Sequence, residues 1–157
     1  MIFEDINDFA SALPSGRALL GLDLGTKTIG VAASDGLLTS ASPLEIIRRR
    51  KFGQDADTLL AIAHAREACG LILGLPRNMD GSEGPRCQST RAFARNLSAL
   101  TELPISFWDE RLSTVAAERA LLEADLTRKR RSEVIDAVAA AYILQGALDR
   151  LRHLREH

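Results

Sequence analysis

Ala18-Leu19-Leu20-Gly21-Leu22-Asp23-Leu24, a turn at Gly25 to Thr28, and then Ile29-Gly30-Val31-Ala32-Ala33-Ser34-Asp35 carry the reading that decides the fold. Two apolar runs joined this tightly are antiparallel neighbours, because a parallel pair needs a crossover of a dozen residues or more. Asp35-Gly36 turns the chain again, and a third short strand is expected near Leu37 to Leu44. Beyond the basic run Arg48 to Lys51, the apolar spacing of Leu59, Leu60, Ile62, Ala63 and Ala68 predicts a helix that Gly70 ends in a left-handed conformation.

Leu71-Ile72-Leu73-Gly74-Leu75 is continuously apolar, as a parallel strand covered on both faces must be. Pro76 ends it, and Arg77 to Arg86 is a polar, glycine-containing loop. Cys87 to Leu100 reads as helix, Ile105 to Trp108 as strand, Thr114 to Ala124 as helix with Ser113 or Thr114 as its cap, and the last helix starts near Ser132. Upstream, Phe3, Ile6, Phe9 and Leu13 fit a short amphipathic helix stopped by Pro14-Ser15-Gly16. Residues 1–16 are accordingly an N-terminal extension and 17–157 a single domain. With right-handed crossovers the class is α/β: a mixed five-stranded sheet, three antiparallel strands then two parallel ones, with helices on both faces.

A chain of 157 residues, 46% of them hydrophobic, buries roughly 70% of its unfolded surface and folds without a staple. Cys69 and Cys87 make no C-x-x-C pair, and His64 has no partner at metal-finger spacing, which excludes a structural zinc reading and suits a reducing compartment. Neither a secretory leader nor an apolar run of membrane-spanning length is read in the sequence, so no membrane partner and a cytoplasmic location are expected. The net charge of -1 means that any nucleic-acid binding must come from local clusters.

Three acidic positions stand where acids are costly. Asp23 lies inside an apolar strand, where a bare carboxylate costs several kcal/mol unless paired, hydrogen-bonded or metal-bound. Asp109 and Glu110 end the Ile105–Trp108 strand, and the carboxyl ends of strands in open α/β sheets are where ligands bind. The strand is too short for its parity to choose between them; Glu110 is preferred and Asp109 kept as a further metal ligand. Asp136 and Gln145 are the strongly polar residues of the otherwise apolar Val134–Leu148, and Asp136 shares a face with Ala140, Ile143 and Ala147. Bland roles exist for each: turn cap for Asp23, ion pair with Arg111 for the strand-end acids, helix-start acid for Asp136.

Oxygen ligands on separate elements suit magnesium or manganese, so Asp23, Glu110 and Asp136 are the candidate catalytic and metal-binding set, with Mg2+ or Mn2+ as cofactor. Arg128-Lys129-Arg130-Arg131 stand just ahead of the helix that carries Asp136, where cations oppose the helix dipole and one another. Backbone phosphates would supply the missing anion.

Gly21–Ala32, Gly74–Gly84, Asp109–Thr114 and Ile135–Ala140 resemble, in order, the four sequence blocks of the YqgF/RuvX family, and the likeness covers about residues 17 to 150. It implies a ribonuclease H-like fold related to Holliday junction resolvases and a bacterial cytoplasmic nuclease that matures the 5′ end of 16S ribosomal RNA. Asp23, Glu110 and Asp136 match its acids. From the same blocks come Lys27, Arg77, Asp80 and Arg111 as nucleic-acid contacts beside Arg128 to Arg131. Two departures are residues 1–16, which many members lack, and Glu133, where members often carry a basic residue.

Two other functions fit parts of the sequence. The Asp23-Leu24-Gly25-Thr26 hairpin resembles the first phosphate loop of sugar kinases and Hsp70-type ATPases, although those need two such domains; a noncatalytic RNA-binding module lacks the interleaved aromatic and basic residues of a stacking platform. Precursor 16S rRNA and branched DNA both stand as substrates, ribosomal particles as a partner, and monomer or homodimer as the state.

Overall fold

The computed structural model describes residues 1–112 and 128–156, the last helix by its backbone alone at 128–136 and 155–156. The elements are β1 (Ile2–Phe3), α1 (Ile6–Ser11), β2 (Leu19–Leu24), β3 (Thr28–Ser34), β4 (Ala41–Arg48), α2 (Phe52–Ala65), β5 (Gly70–Leu75), α3 (Pro85–Ser98), β6 (Ile105–Asp109) with a 3-10 turn at Glu110–Leu112, and α4 (Arg128–Glu156). The helix expected over Thr114–Ala124 lies outside the described residues.

The sheet has six strands in the order β1-β6-β5-β2-β3-β4, one more than the five expected. The addition is β1, which pairs in parallel with β6 through Ile2↔Ile105 and Phe3↔Ser106. Residues 1–16 thus hold the expected short helix together with an edge strand, and Phe9 of α1 is fully buried. β2, β3 and β4 form the antiparallel set, while β5 and β6 run parallel to β2. The third strand starts later than expected and absorbs Arg48.

Alternation along the central strands sorts the two faces. Leu20, Leu22, Leu71, Leu73 and Ile105 pack with Leu59, Phe93 and Leu97 of α2 and α3. Leu19, Ile72 and Trp108 turn the other way, onto Ala140, Ile143, Leu144 and Leu148 of α4. At about 25 cal/mol per Å2, each fully buried leucine contributes roughly 1.5–3 kcal/mol of transfer free energy. Gly21 lets α4 approach: a Cβ there would stand 2.6 Å from Leu144 Cβ and 2.9 Å from the Ala140 carbonyl oxygen.

Two local expectations are corrected. Glu67, not Gly70, takes the left-handed conformation after α2, with φ 53°, and the Ala68 amide reaches back to the Ala63 carbonyl at 2.9 Å. Gly70 is instead the first residue of β5, where Phe9, Leu13 and Leu19 leave no room for a Cβ. The last helix starts at Arg128 and not near Ser132, so the Arg128–Arg131 run lies within it and not ahead of it; lysine and arginine are good helix formers and propagate the turn. Gln145 has a structural role: it accepts from the Ala41 amide at 2.9 Å and donates to the Thr39 carbonyl at 3.2 Å, tying α4 to β4. Among the described residues no helix is long and apolar enough to cross a membrane.

Candidate active site

Asp23 is 3% exposed and sits in β2 beside Gly30 of β3. On its other flank the register Leu22↔Leu73 continues to Gly74 of β5, which pairs with Trp108 of β6. Paired residues in a sheet share a face, so Gly30, Asp23, Gly74 and Trp108 form one row on the α4 side. A glycine on each flank leaves the Asp23 carboxylate unshielded by neighbouring side chains within the sheet.

Glu110 follows β6 and reaches over the same row. Its Oε1 lies 3.3 Å from the point where a Cβ on Gly74 would project, and Ile143 of α4 crowds that point as well. Gly74 therefore makes room for the Ile143 side chain and the Glu110 carboxylate together, in the row that Asp23 occupies. Asp109 is arranged otherwise. Alternation places it with Ile105 and Phe107 on the α2–α3 side, and its carboxylate is gripped by Arg111: Nη2 donates at 2.6 Å, Nε at 3.1 Å and the backbone amide at 3.0 Å. That guanidinium holds the Asp109 carboxyl below the usual aspartate range.

Position 136 lies four residues, one helical turn, before Ala140, whose carbonyl opposes Gly21. Since Leu151 and Leu154 lie with Leu13 and Leu38 near the amino end of β2, while Ala140 and Leu144 face Gly21, the earlier part of α4 runs toward the carboxyl end of β2. The side chains of Asp136, Glu133, Arg128, Lys129, Arg130 and Arg131 lie outside the described residues, and among the described residues no three of His, Cys, Asp and Glu group as a metal site.

The loop after β5 is built from its own acids and bases. Asp80 accepts from the Ser82 hydroxyl at 2.6 Å and amide at 2.9 Å, which lowers its pKa and shapes the turn at Gly81, φ 90°. Arg111, which anchors on Asp109, also donates to the Met79 carbonyl at 3.4 Å. Arg77 pairs with Glu83 at 3.4 Å. Lys27 is exposed at the β2–β3 turn. Of the nucleic-acid contacts expected from sequence, Lys27 thus faces solvent, whereas Arg77, Asp80 and Arg111 make internal contacts of this loop.

Three residues escaped the sequence reading. Glu83 receives two N–H bonds from Arg91, at 2.6 and 2.8 Å, and Arg91 also bonds Glu4, so the loop, α3 and the N-terminal segment are tied together. The hydrogen bonds between them, with the paired charges, lower the pKa of Glu83 and raise that of Arg91. Glu83 and Arg91 meet across a loop and a helix start, and Glu4 reaches Arg91 only through the fold, so neither contact gives a local signal. Gly74 did have one, because a glycine inside a buried strand marks a close approach.

Comparison with known proteins gives the family and the fold. The profile of RuvX, described as Holliday junction resolvase, matches residues 17–150. A protein of Ruegeria pomeroyi named "Putative pre-16S rRNA nuclease" is 75% identical over 154 residues, covering 98% of this chain and 100% of that one. One of the same name from Paracoccus denitrificans is 73% identical over 154 residues, covering 98% of each. Among solved structures, Thermus thermophilus RuvC in complex with a Holliday junction substrate superposes with a TM-score of 0.54 at 14% identity, over 87% of this chain and 96% of that one. The fold is the ribonuclease H-like fold of that resolvase, and the chain belongs to the RuvX family.

Proposed function

We propose that this protein is a divalent-metal-dependent nuclease that hydrolyses phosphodiester bonds at the 5′ end of precursor 16S rRNA in the cytoplasm. One arrangement carries the reading: a buried carboxylate, Asp23, and a strand-end carboxylate, Glu110, on the same face of the sheet, with glycine where a side chain would intrude. Hard oxygen donors on neighbouring elements suit magnesium or manganese. Asp23 and Glu110 would hold the ion, with Asp136 as the third ligand from α4. When bound, such an ion neutralises phosphate charge and makes water a better nucleophile at neutral pH. The chain's own work is positioning. β2 fixes Asp23 in a row of buried backbone, the 3-10 turn swings Glu110 over Gly74, and α4 brings position 136 toward the end of β2. Arg111 and Asp109 brace the loop beside them.

The rRNA substrate follows from the names of the relatives, and branched DNA, from the family description, is the second reading. Family membership supports the nuclease reading of Asp23–Thr26 over the nucleotide-binding one. The test is to incubate wild type and Asp23→Asn with a precursor 16S fragment and a four-way DNA junction, with Mg2+, Mn2+ or chelator. Metal-dependent trimming of the RNA by wild type, reduced about 100-fold or more in Asp23→Asn, is the expected result; that is ~2.7 kcal/mol of lost transition-state stabilisation. Undiminished cleavage by a folded Asp23→Asn would end the reading, and cleavage of the junction alone would move the substrate to DNA.

A further inference from the structure

The basic run Arg48 to Lys51 takes no part in the site above, yet it emerges at the same edge of the sheet. β4 runs parallel to β2, so the ends of both strands, the β2–β3 turn and the amino ends of α2 and α3 lie together. A groove of about 160 Å3 opens there, lined in part by Leu24, Gly25, Thr26, Arg49, Arg86 and Ser89. Arg49 Nη1 donates to the Gly25 carbonyl at 2.7 Å, and Arg86 Nη2 to the Leu24 carbonyl at 3.4 Å. Each carbonyl takes one of the five N–H donors of a guanidinium. The Arg49 guanidinium is further steadied 5.9 Å from the centre of the Phe93 ring.

The charge placement is unfavourable for the isolated protein. α3 has no side-chain cap at Gly84 and no acid in its first turn, which instead carries Arg86. α2 likewise starts from Lys51 without a side-chain cap, and Asp55, the acid in its first turn, is buried with both oxygens facing the Arg50 amide, at 2.9 and 3.2 Å. A cation at a helix amino end opposes the dipole, so Arg86 in the acid-free first turn of α3, beside the groove, costs stability unless an anion completes that end. The volume is roughly five times the ~30 Å3 share of a water molecule in the liquid, enough for a phosphate group.

We propose that this groove binds the phosphodiester backbone of the substrate at a second point, away from the scissile bond, with Arg49 and Arg86 as the contacts and Lys27 and Lys51 flanking them. The proposal rests on the nuclease reading for its ligand. A backbone track of this kind holds the strand in register while Asp23 and Glu110 act beyond it on the opposite face, which strengthens ground-state and transition-state binding alike.

Anisotropy of a fluorescein-labelled single-stranded RNA, titrated with protein at several KCl concentrations, tests it. Arg49→Ala/Arg86→Ala is expected to weaken binding and to flatten the plot of log K against log salt by about 1.4, or ~0.7 for each phosphate no longer neutralised. Asp23→Asn should keep the wild-type slope, and in cleavage the double variant should raise KM and leave kcat unchanged. If the double variant melts early, Arg86→Ala/Lys51→Ala reads the same slope, and Arg49→Lys/Arg86→Lys should restore it. An unchanged slope in a folded variant, or no binding of RNA by wild type, overturns the proposal. Failure of cleavage with a slope that still responds would sink the nuclease reading and leave the groove standing.

Discussion

Glu110 and Gly74 meet on the α4 side of the sheet: carboxylate oxygen Oε1 stands 3.3 Å from where a Cβ on Gly74 would begin. Ile143 closes on the same point from the helix. A single methyl group there would press on a core residue and a candidate metal ligand together.

Gly74→Ala is expected to destabilise the fold by about 1–3 kcal/mol, the usual cost of overpacking, and to lower cleavage. The two effects separate in Gly74→Ala/Ile143→Val, which shortens the crowding aliphatic chain. Urea unfolding should show stability regained, while cleavage stays below wild type because Glu110 is still displaced. Full recovery of both would reduce Gly74 to a packing residue.

Gly21→Ala tests the opposing helix. Its Cβ would meet Leu144 Cβ at 2.6 Å and the Ala140 carbonyl at 2.9 Å, atoms fixed to the helix backbone that have no rotamer to escape into. The helix itself must move, so a loss of about 3 kcal/mol, at the high end of overpacking, is expected in urea unfolding. Cleavage should fall even under conditions where the variant stays folded, because the moving helix carries position 136. Wild-type stability would mean that α4 yields more easily than its contacts imply.

The strands that bear these residues were legible because their patterns are strong. A continuous apolar run makes β5, a tight turn between apolar runs makes the β2–β3 hairpin, and an acid inside such a run stands out. β1 was not legible: two residues, Ile2 and Phe3, carry no periodicity, and their partner strand lies a hundred residues away. Nor could five residues of β6 choose between Asp109 and Glu110. Trp108, which packs with the α4 cluster and crowds Gly146, fixes the alternation and puts Asp109 on the other side of the sheet. Arg91 was invisible as an anchor for the same reason as β1, since Glu4 joins it only through the fold.

The β3–β4 turn gives a prediction in pH. Asp35 accepts from the Thr39 hydroxyl at 2.6 Å and from the amides of Thr39 and Ser40 at 2.8 and 3.1 Å, which lowers its pKa to about 2. A depressed folded-state pKa contributes stability that is present above the unfolded value, near 4, and lost as pH falls through the folded one. Asp35→Asn should therefore unfold at lower urea than wild type at pH 5, and the gap should narrow between pH 4 and 2. A gap independent of pH across that window would show that the carboxylate charge contributes nothing.

Asp109 and Glu110 are adjacent and acidic, yet their geometry assigns them different work. The Asp109 carboxylate already accepts three N–H groups of Arg111, and Arg111 in turn reaches the Met79 carbonyl of the β5–α3 loop. Replacing it with asparagine weakens that grip and frees the loop without touching the row of Asp23 and Gly74. Asp109→Asn should accordingly raise KM several-fold while the Mg2+ or Mn2+ concentration for half-maximal cleavage stays where it is in wild type. Glu110→Gln removes charge from the row of Asp23 and Gly74, so it should raise that metal concentration or lower kcat about 100-fold or more, ~2.7 kcal/mol. Titrating metal at saturating RNA for both variants distinguishes them. A shifted metal requirement in Asp109→Asn and an unshifted one in a fully active Glu110→Gln would exchange the two assignments, and with them the face of the sheet on which the phosphate is cut.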